Sequence, residues 1–178
     1  MKTIINRQLL LLVAFVALMF VSSVPVSAQS TTAEEKTEQS PDSTFLLLPS
    51  GTIWYMSNEE GYYTYAEAKK KFKKHLPTKE QWQELIDSCD WKWTGNGYKV
   101  TDKFGRSMFL PATGYKSSYG NLLGEGIWAF YWAAEAQDSN TSWGIWMEHA
   151  KKGENKNVNN IHIYTSKQDY YQSVRLVK

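Results

Sequence analysis

The residues of this chain best suited to chemistry are aromatic and amide side chains gathered in its last third. The stretch "GENKNVNNIHIYTSKQDYYQS" (153–173) is crowded with Asn, Tyr, Ser, Asp, His and Lys and holds few aliphatics. Such residues make adaptable polar contacts and offer large contact area at low entropic cost, which is the chemistry of recognition surfaces. The candidate contact residues there are Asn157, Asn159, His162, Tyr164, Asp169 and Tyr170. Upstream, strict alternation through "TSWGIWMEH" sets Trp143, Ile145 and Met147 on one side, which leaves Trp146 on the other as a further candidate. A glycine-bordered loop (115–128) adds Tyr115 and Tyr119. Stacking of flat rings on a ligand needs no metal and no cofactor.

Bond-making chemistry has less material. Histidine occurs only at 75, 149 and 162, in no zinc-ligand spacing. Glu148, His149 and His162 could approach one another across neighbouring strands and are the residues an acid–base site would use. Glu135 and Asp138 are a conceivable carboxylate pair for glycoside hydrolysis, but both border a polar loop and read as solvent-facing. Cys89 is the sole cysteine. It falls on the apolar face of a predicted helix, where a thiol is an inert small hydrophobe. No Gly-x-Ser-x-Gly elbow is present. No Asp-x-Asp-x-Asp-Gly loop is present either, so neither nucleophilic catalysis nor that calcium chemistry is indicated.

Elements able to position the aromatic residues can be read from pattern. The first 28 residues are set apart from the fold. Lys2 and Arg7 precede a charge-free apolar run (9–21) and a small-residue site, Val26-Ser27-Ala28, as in a cleaved secretory signal peptide. Thirteen apolar residues fall short of a bilayer span. Residues 29–44, rich in Ser, Thr, Glu and Gln without apolar periodicity, read as a flexible tether. The expected organisation is therefore a signal peptide (1–28), a linker (29–44) and one folded domain (45–178). Export to the periplasm, cell surface or medium follows, with no membrane insertion after cleavage. Removing Lys2 and Arg7 leaves eighteen basic against eighteen acidic residues, from twenty and eighteen in the whole chain. That balance points away from a nucleic-acid partner.

Within the domain, short strands are expected at 45–48 and 52–56. Thr64 caps a helix running to about His75, with Tyr65, Ala68, Phe72 and Leu76 inward and the lysines outward. Thr78-Lys79-Glu80-Gln81 fits a capping box, and Trp82, Leu85, Ile86 and Cys89 then form one apolar face. Further strands are expected at 98–101, 107–110, 127–134, 142–148, 161–165 and 173–177. Two early helices and a run of short late strands argue an α+β domain with antiparallel strands.

Five segments, in order, carry a resemblance: "EEGYYTYAEAKK" (59–70), "LPTKEQWQELIDSCDWKW" (76–93), "GYKVTDKFGRSMFLPATGY" (97–115), "YWAA" (131–134) and "SVRLVK" (173–178). Together they resemble the Fibrobacter succinogenes major paralogous domain family, found in exported bacterial proteins and related to the formylglycine-generating-enzyme group. The resemblance implies a C-type-lectin-like fold, two helices on irregular antiparallel sheet with long loops, whose terminal strand pairs with those near the start. Where the family usually reads Tyr-Trp-Ser-Ser, this chain has Ala133 and Ala134. Formylglycine-type chemistry needs a cysteine pair, which one cysteine cannot supply, and the Glu-Pro-Asn or Gln-Pro-Asp triplet of calcium lectins is absent around Pro111. The expectation is a non-catalytic, cofactor-free extracellular module that binds a glycan or a surface protein. A receptor diversified by a retroelement, a structural subunit of a surface assembly and an enzyme with an unrecognised site are the alternatives.

Overall fold

The computed structural model describes residues 45–149 and 160–178. The expected signal peptide and tether lie outside these, as do the candidate residues Asn157 and Asn159. The described residues form an α+β domain of eleven strands and two short helices, with a 3-10 turn between the helices. Strands β1 (Phe45–Leu47), β2 (Ile53–Asn58) and β11 (Arg175–Val177) form one antiparallel sheet with β2 central. The last strand thus lies beside the second, as the terminal "SVRLVK" led one to expect. A second sheet is the meander β3 (Asp90–Trp93), β4 (Gly97–Thr101) and β5 (Ser107–Pro111). The third and longest is β8 (Trp128–Ala136), β9 (Thr141–Glu148) and β10 (Asn160–Lys167), with β9 in the middle.

Both helices start where their side chains can serve the backbone. In α1 (Tyr65–Phe72) the Thr64 hydroxyl accepts from the Glu67 amide while Glu67 accepts from the Thr64 amide. Thr78 and Gln81 make the same reciprocal pair at α2 (Lys79–Ser88). Each box satisfies two of the amides a helix start leaves orphaned. The predicted first helix runs on to His75, but the α-helix ends at Phe72. Lys73 takes a positive φ of 50° and a 3-10 turn (Lys73–His75) completes the segment.

Two further departures come from short strands without a clear period. Residues 90–93 form β3, in register with 98–101. The loop at 115–128 contains a small hairpin, β6 (Tyr115–Lys116) with β7 (Leu122–Leu123). Two- and four-residue strands are too brief for alternation to mark them.

The core has two parts. The larger is built around Trp54, Trp82, Tyr131, Leu110, Ile145 and Met147, between α2 and the three sheets. The smaller joins Tyr65, Ala68, Phe72 and Leu76 to Trp132 and Val174. Consecutive residues of β8 therefore serve opposite sides, Tyr131 the first cluster and Trp132 the second.

One buried cation ties these layers together. Arg175 is 1% exposed, and its guanidinium donates to Asn58 Oδ1, to the Tyr55 carbonyl at 2.9 Å and to the Phe109 carbonyl at 2.6 Å. Asn58 in turn donates to the Tyr131 hydroxyl, which donates to the Pro111 carbonyl, both at 3.0 Å. The chain of bonds crosses β11, β2, β5 and β8. Arg175→Met fills much of the volume but leaves these acceptors without a donor, each worth about 1–3 kcal/mol when buried. The variant should lose roughly 3 kcal/mol or more of unfolding free energy in urea titrations, and an unchanged midpoint would contradict this role.

Candidate aromatic binding cleft

The sheet face turned away from the larger core carries a row of rings. Register sets Phe130, Trp146 and His162 side by side across β8, β9 and β10, with Trp132, Gly144 and Tyr164 in the next row. Alternation fixes this, because Tyr131, Ile145 and Ile163 of the intervening row pack on or into the larger core. Phe130 lies 6.4 Å from Trp146 in a near-parallel stack and 5.4 Å from Tyr164 edge-on, and Trp146 lies 5.4 Å from His162.

Two loops bring further rings over this face. Tyr115, at the start of the hairpin, stands edge-on to Phe130 at 4.9 Å. It also stacks on Tyr170 at 5.4 Å and 27°. The loops are held together by paired backbone bonds between Lys116 and Tyr171, 2.9 Å each way. A cleft of about 260 Å³ results, lined by Tyr115, Phe130, Tyr164 and Tyr170 with Thr165, Ser166 and Lys167 at its polar side. Lys167 also borders a more polar hollow of about 480 Å³, shared with Asn140, Thr141, Gln168 and Asp169. The two hollows share Lys167 in their walls.

A glycine makes room for the cleft floor. Gly144 faces Tyr164 across the strand pair, and a Cβ there would press on the Tyr131 carbonyl and come 3.2 Å from the Tyr164 ring. Gly144→Ala should cost about 1–3 kcal/mol through overpacking. It should also change the near-ultraviolet circular dichroism as Tyr164 is displaced; a spectrum and midpoint like those of the parent chain would count against the tight fit.

Several polar atoms under the rings lack partners. The Tyr164 hydroxyl, the Trp146 indole nitrogen and both amide atoms of Gln172 are buried with no partner inside 3.5 Å. Burial pushes the Tyr164 phenol well above its usual range, while the Ser166 and Gln172 side chains lie near enough to hydrogen-bond it and pull the other way. Gln172 is fully buried and is held through its backbone, which exchanges two bonds with Tyr63.

The structure therefore assembles Tyr115, Tyr164 and Tyr170 in one cleft, with Trp146 and His162 continuing the ring row and Asp169 in the neighbouring polar hollow. Tyr119 is not among the lining residues. It sits at the hairpin tip, 90% exposed. Phe130, Lys167 and Gln172 complete the arrangement and were not singled out from sequence. Phe130 was legible only as one more strand aromatic, and nothing local marks Gln172.

Several of the groups weighed for catalysis make structural contacts. His149 lies flat on Trp93, 4.8 Å away at 9°, and His75 bonds the Val177 carbonyl. His162 stands opposite Trp146, while Glu148 stands opposite Asn160. Glu135 accepts from the Lys79 amide at the start of α2, where the helix dipole favours an anion. Asp138 accepts from the Asn140 and Thr141 amides and the Thr141 hydroxyl, contacts that lower its pKa. Among the described residues no three His, Cys, Asp or Glu side chains gather closely enough to hold a metal ion, and no helix is long and apolar enough to cross a membrane.

Cys89 caps the end of α2, half-buried against the larger core, and burial pushes its thiol from an ordinary 9.0 up to about 12. The folded chain thus holds this proton through a range where the unfolded chain releases it. The thiol's contribution to stability is present below pH 9 and is lost as pH rises from about 9 to 12. Iodoacetamide at pH 9 should alkylate the native chain at least about tenfold more slowly than the chain in urea, since only the thiolate reacts. Equal rates would mean an accessible thiolate.

Comparison with protein-family models, with curated proteins and with solved structures returned no match.

Proposed function

We propose that the chain is an exported, non-catalytic binding module that holds a glycan in the aromatic cleft, without calcium. The observation that carries this reading is the cleft itself: four rings from a hairpin, two strands and a loop, with a polar hollow that shares Lys167 beside it. Sugar rings present aliphatic C–H faces that pack on aromatic rings and hydroxyls that need donors and acceptors. A cleft of rings beside a hollow lined by Asn140, Thr141, Gln168 and Asp169 suits both.

In this reading the domain is C-type-lectin-like and related to the Fibrobacter succinogenes major paralogous domain. Support comes from two short capped helices beside irregular antiparallel strands, and from a last strand that returns beside β2. Ala133 and Ala134, which depart from that family's pattern, face the two core clusters. Binding is favoured over turnover because the histidines at 75 and 149 and the carboxylates at 135 and 138 already serve structural contacts.

A glycan array probed with the exported chain should show retained ligands, with signal unchanged by a calcium chelator. Phe130→Ala and Tyr170→Ala should each weaken the best of them at least tenfold in titration calorimetry, as loss of a stacking ring costs about 1–3 kcal/mol. Tyr119→Ala should leave affinity within about twofold. An empty array beside a retained surface protein would move the ligand class from glycan to protein. Binding indifferent to both ring deletions would remove the cleft from the account.

A further inference from the structure

The longest sheet is closed along one edge and open along the other. At the β8 edge the outward groups are already used. The Trp132 amide donates to the Ser173 carbonyl, the Phe130 carbonyl accepts from the Ser173 amide, and the Trp128 carbonyl accepts from the Gly114 amide. The opposite edge is β10, eight residues long, and among the described residues no strand or bridge pairs with its outer side.

Which groups of β10 face outward follows from both sides of the sheet. Because the even residues of β8 bond outward, its odd residues face β9, and alternation turns the even residues of β9 toward β10. Gln168, directly after β10, donates to the Asn140 carbonyl in the same register, which sets the even residues of β10 toward β9 as well. The amides and carbonyls of Ile161, Ile163 and Thr165 therefore point away from the sheet, and no other backbone group among the described residues bonds them.

An unpaired edge is a template for another strand, and proteins blunt such edges with proline, bulges, inward charges or short length. β10 has none of these. It lacks proline, keeps register with β9 from Asn160 to Lys167 without a shift, and carries one formal charge, Lys167, at its end. The outer strands of the other three-stranded sheets have only three to five residues.

The sequence of β10 suits a second copy of itself. In an antiparallel two-fold pairing centred on Ile163, Ile163 meets Ile163 and Ile161 meets Thr165, so the outward groups of all these residues gain partners. On the aromatic face the same register sets His162 opposite Tyr164 and Asn160 opposite Ser166, twice over. Ile163, only partly buried against the larger core, closes against its counterpart. No like charges oppose one another, because the two copies of Lys167 lie at opposite ends. We infer that the chain forms a two-fold dimer through its β10 edges, joining two three-stranded sheets into one. This pairing goes beyond the glycan reading, yet it bears on the same site. Tyr164, Thr165, Ser166 and Lys167 line the cleft from this edge strand, so each cleft gains His162 of the second copy beside its own Tyr164. Two clefts on one sheet face would engage a multivalent surface with avidity.

The test is sedimentation velocity on the exported chain over a concentration series, with no ligand present, so its result stands apart from glycan binding. The mass should double as concentration rises through the micromolar range, as suits a contact of modest area. Amide hydrogen exchange read by NMR at low and high concentration should locate the contact. Exchange at Ile161, Ile163 and Thr165 should slow at least about tenfold in the dimer, whereas His162, Tyr164 and Ser166, bonded to β9 in either state, should not change. Thr165→Pro removes an outward donor and leaves the β9 ladder intact, the kind of edge position at which a strand admits proline. That variant should keep the far-ultraviolet circular dichroism of the parent and remain monomeric. If it fails to fold, the exchange pattern of the parent chain decides alone. A chain monomeric at every concentration overturns the inference and leaves the edge to a strand of some other protein. A dimer with Ile161, Ile163 and Thr165 unprotected, or a folded Thr165→Pro chain that still dimerises, overturns it as well.

Discussion

The structure depends on a charge kept out of water without a counter-ion. Among the described residues, no carboxylate lies within ion-pair reach of the Arg175 guanidinium, which instead fills its hydrogen bonds with neutral oxygens from three places in the chain. Burial draws its pKa from 12.5 to about 10, so the group stays charged at neutral pH. A buried cation survives only when its donors are well met, and here meeting them requires β2, β5 and β11 to hold fixed positions. Asn58 passes the constraint to the Tyr131 hydroxyl and so to β8. Phe130 precedes Tyr131 on that strand and points the other way. The inner residue is pinned by the arginine network, and the outer one is the central ring of the cleft.

The same economy of strand geometry explains why the aromatic face exists. Trp132 is covered by α1 through the smaller core, whereas Phe130 and Tyr164 share a cleft with the loop rings Tyr115 and Tyr170. A helix over these rings would have made them ordinary core. Loops leave a cleft open beside them.

How far the sequence disclosed this varies with the range of the cause. The helix starts were legible because Thr64 with Glu67 and Thr78 with Gln81 act within four residues. The long strands were legible because alternation through "TSWGIWMEH" outlasts chance. Strands of two to four residues at β3, β6 and β7 fall below that threshold. The candidate site was legible in kind, as a tyrosine- and asparagine-rich region, but its membership was not. Tyr115 meets Tyr170 across more than fifty residues of chain, by way of the Lys116–Tyr171 pairing, and no local signal announces such a closure. Tyr119 shares the composition of a binding residue yet occupies a hairpin tip, because turn geometry from Ser117 to Asn121 puts it there.

The most direct measurement is two-dimensional NMR of the aromatic rings while a glycan retained by the chain is titrated in. The account predicts shifts concentrated at Tyr115, Phe130, Tyr164 and Tyr170, with Trp54, Trp82 and Tyr98 of the larger core unmoved. Shifts confined to Tyr119 and the rest of the hairpin tip, or spread evenly over the core, would contradict it.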